Sequence, residues 1–152
     1  MSLEKLASEG WYKAEPASAR EIADLFSIVS RAEKDATVAE ISDDLRFHAA
    51  YNGLLALANI ALRANGYRAP QQMGHQRVIE SLEYTLTTET PENRERWVRK
   101  IKTHSKKRNI SSYDFAGGIA PQDLEQAIRD VGTLRAQVER YLREVHAELL
   151  VN

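Results

Sequence analysis

The sequence predicts an all-α bundle of about five helices, and three observations carry that expectation. Apolar residues recur at spacings of three and four along five separate stretches, the period of a single helix face. Most of these stretches open on Ser, Thr or Pro with acids in the first turn, and they run out into polar, Gly- or Pro-containing turns. No segment shows the strict apolar/polar alternation of a half-buried strand. At 152 residues with 43% hydrophobic content, the chain is expected to form one domain with a core of its own. That domain is expected to span 18–150, behind an irregular lead-in at 1–17.

The lead-in is broken by Gly10 and Pro16, and its Trp11-Tyr12 pair is available to pack on the body. The first helix of the bundle is expected to begin at Ser18, where Ser18-x-x-Glu21 has the form of a capping box. Ile22, Leu25, Phe26 and Val29 then mark one apolar face, and Lys34 to Thr37 mark its end. The second is expected to open on Ser42-Asp43-Asp44 and stop at Asn65-Gly66. It is Ala-rich and apolar almost all round, with Gly53 at its middle, which suits the most buried member of a bundle. Its polar residues Asp44, His48, Asn52, Asn59 and Arg63 share an arc of roughly 100°. Such an arc is either the one strip that meets water or a seam lining a cleft or subunit interface.

Tyr67-Arg68-Ala69-Pro70 reads as a turn. A third helix then runs from Gly74-His75 to Thr87, with Val78, Ile79, Leu82 and Leu86 inward and His75 placed to cap or to meet water. Thr90-Pro91-Glu92 supplies the N-cap, first-turn proline and acid of a fourth. Trp97, Val98 and Ile101 form its apolar stripe, which His104 and Arg108 continue. Residues 110–120 read as a loop around Gly117-Gly118, and the last helix runs from Pro121 to about Leu150. There Leu124, Ile128, Val131, Arg135, Val138, Leu142, Val145 and Leu149 form a heptad-like seam. Its one charged member, Arg135, calls for a carboxylate or a partner subunit.

Composition narrows the chemistry. Net charge is −1, so any affinity for polyanions must come from local clustering. With no cysteine there is no disulfide framework, thiolate zinc site or Cys nucleophile, which suits a reducing cytoplasm. The N-terminus lacks the apolar core of a signal peptide, and the run from Phe47 to Leu62 is shorter than the ~20 residues of a spanning helix. The expectation is a soluble cytoplasmic protein with no membrane association. No P-loop, nucleophile elbow, zinc-protease motif or dinucleotide turn is present. Histidines 48, 75, 104 and 146 have no metal-ligand spacing, so neither a metal nor a cofactor is expected.

What remains is the stretch from Arg94 to Tyr113. It holds eight of the 21 Lys and Arg residues against one acid, Glu95. It ends in Arg108-Asn109-Ile110-Ser111-Ser112-Tyr113-Asp114, expected to be a helix end handing over to a polar turn. A guanidinium fork with Asn, Ser and Tyr beside it can hold a phosphate, and surrounding lysines make such binding salt-dependent. The ligand-binding candidates are Arg108, Asn109, Ser112, Lys106 and Lys107, joined by Asn52 and His48 from the polar arc. The bland alternative is that the cations solvate an exposed helix face.

Three segments, ALANIALRANGYR, GHQRVIESL and KKRNISSYD followed by PQDLEQAI, resemble the HEPN (higher eukaryotes and prokaryotes nucleotide-binding) family of helical bundles, over residues 18–149. The family motif is an Arg, often Arg-Asn, followed after four to six residues by His. Arg108 and Asn109 match it; Tyr113 stands where the His belongs. The resemblance implies a homodimer whose motifs line one cleft. It also implies RNA or a nucleotide as ligand, and a toxin–antitoxin or antiviral setting with a minimal nucleotidyltransferase antitoxin as partner. In members that cleave RNA without a metal, the Arg holds the scissile phosphate and the His assists the ribose 2′-hydroxyl. By that analogy the catalytic candidates are Arg108, Tyr113 and, one turn before the motif, His104. Tyr is a poor general base at neutral pH, which favours a binding protein over a ribonuclease toxin. A helical protein–protein interaction module is the third reading.

Overall fold

A computed structural model of the chain describes residues 1–113 and 118–150, the side chains of 110–113 excepted. Helix α1 spans Leu3–Ser8, α2 Ala19–Ala36, α3 Asp43–Ala64, α4 Gly74–Thr85, α5 Pro91–Tyr113 and α6 Pro121–Val145. A 3-10 turn covers Ala147–Leu150. Two two-residue strands, β1 (Lys13–Ala14) and β2 (Tyr67–Arg68), pair antiparallel. The all-α class holds, and no helix among the described residues is long and apolar enough to cross a membrane.

The start signals act where the sequence places them. Ser18 Oγ accepts from the Glu21 amide at 3.1 Å, Ser42 Oγ from Leu45 at 3.2 Å and Thr90 Oγ1 from Asn93 at 3.1 Å. Gly66 adopts φ +82° after α3, a left-handed stop that glycine reaches without strain. Helix α3 is the hub, packed against α2, α4, α5 and α6. Phe47, Tyr51, Leu54, Leu57, Ile60 and Leu62 on it are fully buried. A Cβ on Gly53 would stand 3.3 Å from Ala32 Cβ and 3.5 Å from Val131 Cγ1, so the small residue lets α2, α3 and α6 close together.

Three expectations need correction. Six helices lie among the described residues, because the lead-in is not irregular: it forms α1 and the strand that pairs with Tyr67–Arg68. A six-residue helix and a two-residue strand are too short to show a period, and tertiary contacts hold them. Tyr12 is buried with its hydroxyl donating to the Arg77 carbonyl at 2.7 Å, and the Arg77 guanidinium lies 3.6 Å over the Trp11 ring.

Secondly, α5 does not end in a turn at Arg108. It continues to Tyr113, so the Arg-Asn-x3-Tyr segment is helical. Asn and Ser are only mildly unfavourable in a helix, and no Gly or Pro interrupts the chain between Pro91 and Gly117. Thirdly, α6 stops at Val145, which is 46% exposed, and the chain tightens into the 3-10 turn. Arg135 on α6 finds the carboxylate it called for, in Glu33 of α2, with Ser30 Oγ at 3.0 Å.

The polar arc of α3 divides. Arg63 is 1% exposed and lies inside the protein. Its guanidinium donates to Glu21 at 2.6 and 3.1 Å and to the carbonyls of Glu15, Tyr67 and Pro16. That hub ties the lead-in and the strand pair to the end of α3. Asn52 is exposed and Asp44, His48 and Asn59 are half-buried, so the rest of the arc reaches solvent.

Candidate anion-binding site beside Arg108

Helix α5 carries basic residues on two flanks, and its neighbours determine what each flank becomes. Trp97, Ile101 and His104 turn inward and bury. Arg108 follows one turn later and is half-buried. Its guanidinium carbon lies 5.0 Å from the centre of the Tyr51 ring on α3, within reach of a cation–π attraction. One terminal nitrogen donates to Asn109 Oδ1 at 3.1 Å. The buried Nε has no hydrogen-bond partner, and no carboxylate among the described residues pairs with the group.

This guanidinium borders a cavity of about 400 Å³ between α3, α4 and α5. Lys102, Ser105, Lys106 and Asn109 line it from α5, Tyr51 from α3, and His75 with Gln76 from α4. The hydroxyl of Tyr51 is buried and unpartnered. Helix α4 begins here behind Met73, with no side-chain cap, so its first amides keep donors to offer. Of the lining cations, Lys102 reaches only Glu80 among the described residues, at 3.5 Å. The wall is therefore rich in hydrogen-bond donors and poor in acids.

The candidate residues do not all converge. Arg108, Asn109 and Lys106 share the cavity. Lys107 faces α6 and pairs with Asp123 at 2.7 Å. His104 also faces α6: it is 4% exposed, and its Nε2 lies 2.9 Å from Asp130 Oδ2. Asp130 accepts from Lys100 at 3.0 Å and Gln126 at 2.8 Å as well. Burial alone would raise the Asp130 pKa, but these hydrogen bonds outweigh it and hold the carboxyl below its usual range. His104 thus belongs to an internal network and does not line the Arg108 cavity. The side chains of Ser112 and Tyr113, together with Asp114, lie outside the described residues.

His48 and Asn52 line a separate cavity of about 400 Å³ between α2 and α3, with Ile28, Arg31 and Leu45. His48 nevertheless feels Arg108. Burial lowers its pKa, and the Arg108 charge lowers it further against the opposing pull of Asp44. Arg108 is therefore electrostatically coupled to His48 on α3. Tyr51 and Lys102 are among the lining residues that sequence reasoning passed over. Tyr51 reads as core in an apolar helix, and Lys102 as one lysine in a basic run. Among the described residues, no group of three or more His, Asp or Glu is placed to hold a metal ion.

No protein-family model, curated protein or solved structure matches the chain.

Proposed function

We propose that this chain is a HEPN-like protein that binds the phosphate of RNA or a nucleotide in the cavity beside Arg108. A toxin–antitoxin or antiviral setting, a homodimer and a minimal nucleotidyltransferase partner go with that reading. The observation that supports it best is the state of the guanidinium: it is half-buried, carries an unpartnered Nε and has no acid on it among the described residues. A desolvated arginine left without a counter-charge favours an anion, and Lys106, Lys102 and the uncapped start of α4 favour the same sign. The test is titration with a nucleoside monophosphate and a short RNA. Binding should weaken with salt and fall by about 10- to 100-fold in Arg108→Ala; affinity that ignores both would sink the proposal.

A metal-independent ribonuclease is the second reading, and His48 favours it. Burial and the neighbouring guanidinium favour its neutral form, the form that accepts a proton, and Arg108 on the adjoining cavity is suited to hold the phosphate. Cleavage of a labelled RNA should then persist in EDTA, rise with pH through the titration of His48, and vanish in His48→Gln. RNA that stays intact under all these conditions leaves the binding function alone.

A further inference from the structure

We propose that the groove between α5 and α6, on the opposite flank from Arg108, is a second anion site. Used together with the Arg108 cavity, it makes the ligand a single-stranded phosphodiester chain, not a mononucleotide. The inference rests on the reading of Arg108 given above and names the substrate class for it.

Two adjoining cavities, of about 290 and 470 Å³, share Arg96, Lys100, Gln126 and Asp130 and form this groove. Arg96, Arg99, Lys100, Lys107 and Arg129 line it, and Asp130 is its one lining carboxylate among the described residues. Glu95 and Asp123 stand just outside and pair with Arg99 and Lys107. Even with these two counted, five cations meet three carboxylates, in a chain whose formal charge is −1. Arg96 and Arg129 are exposed and pair with no carboxylate among the described residues; Arg129 donates only to Gln126, at 3.1 Å.

Asp130 does little to repel an anion, since His104, Lys100 and Gln126 already occupy its oxygens. These are the features of a surface that reads a backbone by charge and hydrogen bonding.

The two flanks belong to one helix. Arg96 and Arg108 are about 18 Å apart along α5 at 1.5 Å per residue. Arg99 at the groove and Lys106 at the Arg108 cavity are both exposed, so a strand passing from one cavity to the other meets positive charge on each side. A mononucleotide occupies one flank only, whereas several linked phosphates reach both, and each neutralised phosphate releases counterions.

Fluorescence anisotropy on a labelled dinucleotide and on RNA strands of about 8 and about 16 nucleotides tests this. Affinity should rise with length. The double variant Arg96→Glu, Arg129→Glu should weaken the longest strand by about tenfold or more while leaving the dinucleotide unchanged. Both positions are exposed, and circular dichroism checks that the variant stays folded. Arg108→Ala should weaken every length.

If the double variant binds the longest strand like the wild type, the groove is overturned and the Arg108 reading stands. If Arg108→Ala has no effect at any length, the Arg108 reading fails and the two-site inference fails with it. A polyglutamate peptide that displaces the strand as well as RNA does would overturn the nucleic-acid assignment. A DNA strand of the same sequence, run in parallel, separates sources: equal loss in the double variant supports a pure phosphate reader, and loss on RNA alone supports a ribonucleotide site.

Discussion

Arg63 and Arg108 both stand within the last turns of long helices, and their surroundings are opposite. Arg63 is enclosed and saturated: a carboxylate takes its Nε and one terminal nitrogen, and three main-chain carbonyls complete the fork. Arg108 is half-buried on an aromatic face, meets one neighbouring amide and keeps an empty Nε. Two side chains of the same type are thus put to different uses. One fastens the chain's beginning to its centre, and the other is left with bonding capacity that a ligand can use. A buried arginine is evidence for a site only when its partners inside the fold run out.

The largest expected effect lies on the saturated side. Removing one partner from a buried ionic cluster costs about 3–5 kcal/mol. The Glu21 side chain is 32% exposed and can partly rehydrate, so Arg63→Leu should destabilise by about 3 kcal/mol. Urea denaturation measures this, and an unchanged midpoint would break the contrast. Arg63→Lys should recover little, because an ammonium cannot reproduce the planar fork.

Next comes acid. Hydrogen bonding from Arg63 lowers the Glu21 pKa, and the network around Asp130 lowers that of Asp130 against its burial. Lowered carboxyl pKa values mean stability that is present above the unfolded values of about 4 and lost as pH falls through the folded ones. The unfolding midpoint should therefore drop below about pH 4. Glu21→Gln should start lower at pH 7 and show a shallower acid limb.

Arg108→Ala should reverse the pattern seen at Arg63. Stability should change by less than about 1 kcal/mol, whereas phosphate affinity falls by about 10- to 100-fold, the worth of a charged hydrogen bond. The slope of log affinity against log salt should become shallower by about one. Loss of both stability and binding would mean that Arg108 is structural after all.

The smallest effect is at His48. Its pKa is lowered in the fold, so between that value and about 6.5 the unfolded chain binds more protons and stability rises with pH. Midpoints measured across that window should climb in the wild type and stay flatter in His48→Gln. Replacing Arg108 should also reduce the climb, which tests the coupling between the two residues directly.

Much of the fold is legible in the chain. The caps at Ser18, Ser42 and Thr90, the stop at Gly66 and the stripe of Trp97 and Ile101 are local, and so are their causes. Arg135 announced its need for an acid by interrupting an apolar seam. The short α1 and the strand pair were not legible, because six and two residues set no period. The candidate site was legible only in part. Arg108, Asn109 and Lys106 stood out as the end of a basic run, but Tyr51 looked like any core aromatic.

The starts of α2 to α6, the buried character of α3 and the concentration of positive charge on α5 follow from residue order alone, since each depends on neighbours three or four places apart. The partner each polar side chain meets across a helix interface does not follow from order. His104 and Arg108 share one stripe of α5, yet α6 supplies Asp130 to the first, whereas α3 supplies an aromatic ring to the second, whose charge acts in turn on His48. Periodicity fixes which way a side chain turns; only the packing of helices distant in sequence decides whether it finds a counter-charge there.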